Sequence, residues 1–256
     1  MTRLPKDVNR YRYLAKYYDQ VFGFAASWSE PARRAIVEPL LPEVASACDL
    51  CCGTGTTAVA LARRGIRTFA VDLSPGMCRA AREKAHAAGV EVRVLRSDMR
   101  TFRLPGRVDL VTCEFDALNH VPEEEDLAAV ARSVARALRP GGHFYFDLNN
   151  SPAFRRLWPG TWFVDTPGVA MVMHGGYDRE RDRAWSAVEW FICEGSLWRR
   201  RTEKVREVCW TAAEVRTTLR EAGFDRIRAW DAERFFRRTD PAIRPGFRTF
   251  YLARKC

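Results

Sequence analysis

The residues of this chain best suited to chemistry are acids that follow apolar runs, and the first of them stands before a glycine-rich turn. Residues 49–58 read DLCCGTGTTA. Gly53 and Gly55 permit a tight turn and let a ligand approach the backbone with no Cβ in the way. A strand that ends in such a turn and opens a helix points backbone N–H groups at a ligand. Asp72 stands in VDLS, placed to accept from ribose hydroxyls. Asp98, in RSDMR, is placed for an adenine exocyclic amine. Together these residues predict a cradle for a nucleoside cofactor. GTGTTA also satisfies the G-x-G-x-x-A pattern of dinucleotide sites, so the turn alone leaves two cofactors open. Asp49, just before the glycines, either holds the turn or takes an ammonium group. A diphosphate disfavours an acid there, so Asp49 tilts the balance toward a cofactor with a cationic amino-acid part.

For these acids to meet, each must end a strand of one sheet. ACDLC, RTFAVDL, VEVRVLRSD, RVDLVTCEF and HFYFDLN read as five such strands. TTAVALARRG, PGMCRAAREKAHAAG and EEDLAAVARSVARALRPGG read as helices between them, with Ser74 as an N-cap and Pro75 at the first helical position. Repeated strand–helix–strand units predict an α/β, doubly wound, mostly parallel sheet with right-handed crossovers. Upstream, residues 11–41 carry helical spacing, with Ser29 as an N-cap and Pro31 just inside a helix start. Residues 161–210 hold strand-like runs without intervening helices, which predicts an antiparallel insertion of hairpins. There Ser186, Val188, Trp190 and Ile192 share one face, and Trp185, Ala187, Glu189 and Phe191 the other. Thr211 to Glu214 forms a capping box that opens a helix, followed by the strands FDRIRAWD and RTFYLARK. The expected organisation is a helical lid over 1–44, a cofactor-binding domain over 45–150 and 211–256, and an antiparallel β insertion over 151–210 on the substrate side.

The 256 residues are 47% hydrophobic and 29% charged, a mix that supports a buried core. No apolar run approaches the ~18 residues of a membrane span. No apolar segment follows the charges of the N-terminus, so a cytoplasmic protein without membrane contact is expected. The formal charge of +10 is spread along the chain. The 8 cysteines fall mostly in strand-like runs, as Cys113, Cys193 and Cys209 do. Cys48 and Cys51 have C-x-x-C spacing without a second pair, so no metal site is expected.

With the order of segments in view, the chain resembles a class I S-adenosylmethionine-dependent methyltransferase. DLCCGTG resembles the first motif of that family, VDLSPGM the second and SDMRTF the third. EFDALNHV stands at the segment after strand four, and ALRPGGHFYFD at the approach to strand five. The YYDQVF start and the hairpin insertion resemble a bacterial small-molecule subgroup that includes amino-sugar N-methyltransferases. The resemblance implies a seven-stranded Rossmann-like sheet with an antiparallel last strand. It also implies S-adenosyl-L-methionine as cofactor and S-adenosyl-L-homocysteine as product. Carried over by position, Asp49, Cys51, Gly53 and Gly55 surround the methionine part. Asp72 takes the ribose, with Leu73 and Met77 on the adenine, and Ser97, Asp98 and Met99 lie at its edge. Glu114 and Phe115 lie near the sulfonium, and Tyr18 and Trp28 close over the cofactor. Cys51 and Cys52 are a mild departure, since the family often has glycine at one of these positions.

The implied reaction moves a methyl group to a nitrogen or oxygen of a small-molecule acceptor. Glu114 and His120 are the candidate catalytic residues, with Asp116 and His174 as further acid–base groups, and none is assigned as the base. The insertion is rich in Trp and Arg and covers the expected acceptor side. Two other activities share these features: methylation of tRNA or rRNA, and NAD-dependent oxidoreduction. EFDALN does not match the N/D-P-P-Y/F motif of base-amino methyltransferases. Cofactor binding without catalysis is a third alternative.

Overall fold

A computed structural model describes residues 14–236 and 246–256; the side chains of 14 and 24–28 lie outside the described residues. The chain opens with two helices, α1 (Leu14–Phe22) and α2 (Phe24–Ile36). β1 (Ser46–Leu50), α3 (Thr56–Ala62), β2 (Arg67–Asp72), α4 (Pro75–Ala87) and β3 (Val92–Arg96) follow in alternation. β4 (Val108–Cys113) leads through a short 3-10 turn, Ala117–His120, into α5 (Glu124–Ala137) and β5 (Leu138–Asn149). Then come α6 (Ser151–Leu157) and four strands, β6 (Thr161–Thr166), β7 (Val169–Asp178), β8 (Arg183–Glu194) and β9 (Leu197–Val208). α7 (Ala212–Glu221), β10 (Phe224–Asp231) and β11 (Arg248–Lys255) complete the described elements.

Among the described residues the strands form two sheets. Seven lie in the order β10-β11-β5-β4-β1-β2-β3, and β6-β7-β8-β9 form the second. β1 to β5 run parallel, while β11 is antiparallel to both β5 and β10. The seven-stranded, mostly parallel α/β sheet expected from the alternation is therefore present, with its antiparallel end. Every residue of β1 is buried, as a central strand covered on both faces requires. Leu127, Val130, Ala131 and Val134 of α5 pack with Phe144, Phe146 and Tyr251 on one face of the sheet. The Phe146 and Tyr251 rings stack across β5 and β11 with centroids 4.8 Å apart.

The second sheet buries the face expected from its two-residue period. Ser186, Val188, Trp190 and Ile192 are buried, and Trp185 on the opposite face is exposed. This inner face does not close on itself. Trp190, Val188 and Met171 pack against Ala15, Tyr17, Tyr18 and Phe22 of α1 and Met77 of α4. α1 is therefore held between the second sheet and α4. Among the described residues, no helix is long and apolar enough to cross a membrane.

Two expectations are corrected. Ser29 caps no helix and Pro31 lies well inside α2, whose N-cap is Gly23. Gly23 makes the break between α1 and α2, because a Cβ there would stand 2.2 Å from the Asp19 carbonyl oxygen. α6 was not expected; Pro152 in its first turn is its main helical signal. Residues 11–13 of the expected first helix lie outside the described residues.

One side chain ties the two sheets together. Asn119 is fully buried; its Nδ2 donates to Asn149 O (3.1 Å) and to Val208 O (2.7 Å), and its Oδ1 accepts from Asn149 N (2.9 Å). A buried backbone group left without its partner costs about 1–3 kcal/mol. Asn119→Ala is expected to lower unfolding stability by about 2–4 kcal/mol in denaturant titration. A loss under about 0.5 kcal/mol, the level of an ordinary surface change, would show that the three bonds are not holding the sheets together.

Candidate cofactor and acceptor site

The parallel strands deliver their terminal acids to one edge of the sheet. Asp49 is buried at the end of β1; its Oδ1 accepts from Thr112 Oγ1 (3.0 Å) and its Oδ2 from Ala58 N (3.1 Å). It therefore braces β1 against β4 and the first turn of α3. Burial, together with the nearby charge of Glu114, pushes its carboxyl up to about 7.

The turn after it runs through three left-handed residues, Cys51 (φ 56°), Gly53 (φ 53°) and Gly55 (φ 82°). The two glycines have different reasons to be glycine. A Cβ on Gly55 would stand 2.9 Å from Ala81 Cβ, so this glycine lets α4 pack against the turn. A Cβ on Gly53 would have nothing within 4 Å, so this glycine faces open space. Asp72 fixes Gly53 from the neighbouring strand: its Oδ2 accepts from Gly53 N (3.0 Å) and its Oδ1 from Ser74 N (2.8 Å). Burial pushes this carboxyl up to about 6 against those backbone bonds. Leu73 stands 37% exposed at the lip. Met77 is buried in the cluster beneath α1.

At the end of β3, Arg100 grips Asp98 with Nε (3.0 Å) and Nη2 (2.7 Å) and reaches Asp126 with Nη1 (2.9 Å). Burial would raise the Asp98 carboxyl, but the Arg100 hydrogen bonds outweigh it and hold it below the usual range. Ser97 N donates to Asp72 O, and Cys51 Sγ lies 3.6 Å from Met99 Sδ. Glu114, after β4, receives Arg33 Nη1 (3.0 Å) and Thr57 Oγ1 (2.8 Å) on one oxygen, Oε2. The next two residues, Phe115 (φ 63°) and Asp116 (φ 50°), are left-handed. Their successive N–H groups donate to the two carboxylate oxygens of Asp147 at 2.6 and 3.1 Å. Arg248 bridges Asp147 and Asp116, and its guanidinium lies 5.3 Å from the centre of the Phe115 ring.

α1 closes over this edge. Thr54 Oγ1 in the turn donates to Asp19 (2.6 Å), and Lys84 Nζ reaches Asp19 (2.7 Å) and Thr54 (2.9 Å). On its other side, Gln20 donates to Thr166 Oγ1 and Pro167 O of the second sheet. Burial, with the charges of Asp116, Asp19 and Asp72, pushes the Tyr18 phenol above its ordinary range, so it stays a donor. Trp28 belongs to α2, and its side chain lies outside the described residues. His120 ends the 3-10 turn beside Asp116 and Glu207. His174 is exposed in β7 and bonds Thr161. An open cleft of about 370 Å³ around Val208 to Thr211 is lined by acids such as Glu124, Glu180 and Glu214 and includes none of the turn residues.

Asp49, Gly53, Gly55, Asp72, Glu114 and Phe115 thus meet along one edge, with Tyr18 above them. Sequence reasoning missed Asp19, Arg33, Lys84, Asp147 and Arg248. Asp147 carried a usable signal, since FYFDLN ends a strand in an acid just as ACDLC does. The others are isolated charges with no local pattern.

Residues 47–142 match the methyltransferase domain family. YqeM of Bacillus subtilis, which carries a methyltransferase name, is 26% identical over 249 residues, covering 96% of this chain and 97% of its own. A solved S-adenosylmethionine-dependent methyltransferase from Clostridium acetobutylicum superposes with a TM-score of 0.78 at 23% identity, covering 96% of this chain and 98% of that one. The sugar N-methyltransferase KedS8 from Streptoalloteichus superposes with a TM-score of 0.72 at 22% identity, over 100% and 97% of the two chains. Residues 47–142 are therefore similar to a methyltransferase domain, and the chain shares its fold with solved S-adenosylmethionine-dependent methyltransferases.

Proposed function

We propose that this protein transfers a methyl group from S-adenosyl-L-methionine to a nitrogen or oxygen of a small-molecule acceptor. The observation that carries this reading is the backbone cradle at Gly53, open where a Cβ would stand and anchored by Asp72 from the adjacent strand. Those residues fit the cofactor. Asp72 keeps lone pairs for ribose hydroxyls, Leu73 offers apolar surface at the lip, and Asp98 and Met99 stand at the neighbouring strand end. The bound cofactor supplies a sulfonium-linked methyl group for in-line displacement.

The chain's own groups position and enclose. Phe115 is fixed by the Asp147 and Arg248 network, and Tyr18 covers the edge from α1. Glu114 is engaged by Arg33 and Thr57, which suits it to a fixed negative charge beside a cationic centre more than to proton transfer. His120 remains the candidate proton acceptor on the acceptor side. The second sheet and α1 cap that side, as expected for ligands beyond the carboxyl ends of parallel strands. KedS8 acts on a sugar nitrogen by its name, which supports a small polar acceptor for this chain too.

Calorimetric titration is expected to give saturable binding of S-adenosylhomocysteine and none of NAD; the reverse result would sink the reading. Labelled methyl transfer over amines, phenols, carboxylic acids and RNA then identifies the acceptor, and transfer to RNA alone would displace the small-molecule assignment.

The two glycines should separate binding from folding. Gly53→Ala is expected to cost about 1–2 kcal/mol of stability, the strain of a left-handed residue. It should weaken S-adenosylhomocysteine roughly tenfold or more, or about 1.4 kcal/mol. Gly55→Ala adds an overpacking penalty and should cost ~2–5 kcal/mol of stability. Equal behaviour of the two in melting and binding would contradict the assigned faces.

Ribose hydroxyls favour the ionised form of Asp72, whose carboxyl sits at about 6 before binding. Affinity for S-adenosylhomocysteine should therefore fall as pH drops, by about tenfold from pH 7 to pH 5. Asp72→Asn should flatten that segment of the profile; an unchanged slope would remove Asp72 from the ribose site.

A further inference from the structure

We propose that Asp116, His120 and Glu207 form a binding site for one divalent transition-metal ion on the acceptor side of the edge. One donor atom from each residue lies within 4.8 Å of the others. Asp116 is the N-cap and His120 the last residue of the 3-10 turn after β4, and Glu207 belongs to β9. Glu207 is 6% exposed, and its buried Oε2 makes no hydrogen bond of normal geometry, with the Trp158 indole N–H beside it. A buried carboxylate oxygen without such a bond is rare in folded proteins and asks for a ligand.

Asp116, Asp147 and Glu207 bring three carboxylates to this corner, and the guanidinium of Arg248 pairs with the first two.

The donors are also held in place. Asn119, adjacent to His120, donates to the carbonyl of Val208, adjacent to Glu207. Arg248 fixes one oxygen of Asp116. Such outer contacts orient ligands around an ion. Bonds of ~2.1 Å require donors 4.8 Å apart to close by on the order of 1 Å, within reach of side-chain rotation. One imidazole nitrogen and two carboxylates suit Mn(II), Fe(II), Co(II) or Zn(II), with no thiolate in the set.

The test is a titration of chelator-treated protein with Mn(II), read as loss of the free-ion electron paramagnetic resonance signal. One ion per chain is expected. Glu207→Gln and His120→Gln should each weaken it at least tenfold, roughly 1.4 kcal/mol, while melting and S-adenosylhomocysteine binding stay as in the parent protein. Absence of saturable binding, or equal binding by Glu207→Gln, would overturn the proposal. So would saturable binding of ethanolamine that Glu207→Gln abolishes in a protein that takes up no Mn(II), since the site would then serve an ammonium group. None of these readouts depends on methyl transfer, so the proposal and the activity stand or fall separately.

Discussion

Carboxylates crowded at the ends of parallel strands are the constraint that shapes this molecule. β1, β2, β4 and β5 end in or run into Asp49, Asp72, Glu114 and Asp147, and Asp98 follows β3. Most of these are largely buried, and a buried charge is tolerated only when its oxygens are filled. Asp49 is filled by Thr112 and the start of α3, Asp72 by Gly53 and Ser74, and Glu114 by Arg33 and Thr57. Asp147 takes two consecutive backbone N–H groups and Arg248. Each loop is thus bent to supply donors, and the left-handed residues at Cys51, Gly53, Phe115 and Asp116 are where the bending occurs. The outcome is an edge where acids and the cations Arg33, Arg100, Arg248 and Lys84 are gathered together.

What was legible in the sequence follows from the range of the interactions. The alternation of strands and helices, the Ser74 cap and the glycine turn are encoded within a few residues, and they appear where the local pattern puts them. The acids at strand ends were visible for the same reason. Their partners were not: Arg33 lies 81 residues from Glu114, and Arg248 lies 132 from Asp116. Neither arginine stands out among the 42 basic residues of the chain. The start of α2 was misplaced because a proline rule outweighed the break at Gly23. Cysteine spacing could not bring Glu207 beside Asp116 and His120, because those two flank one 3-10 turn and Glu207 arrives from β9.

α1 is where the two sheets and the turn become one system. A nine-residue helix is too short to persist alone in water, so its geometry is set by what it packs against. One face meets Trp190 and Met171 of the second sheet, and Met77 of α4 completes the cluster. Asp19 bonds Thr54 in the glycine turn, while Gln20 bonds Thr166 and Pro167 at the β6–β7 hairpin. Any displacement of α1 must release these polar ties on one or both sides. Because Asp19 and Gln20 are adjacent, the turn and the hairpin respond to the same displacement.

This coupling gives a physical reason for the insertion to be a sheet. A helix or loop after α6 would present no broad apolar face for α1. β8 supplies that face through alternate residues while its neighbour β9 carries Glu207 to the edge beside His120. Asn119 then joins β9 to the end of β5 through Val208 and Asn149. The strand that reaches His120 is consequently part of the same sheet that packs against α1. Changes in the outer residues of β6 to β9 leave this packing untouched, whereas a shift of one residue in the β8 or β9 register would invert every contact with α1 and with His120.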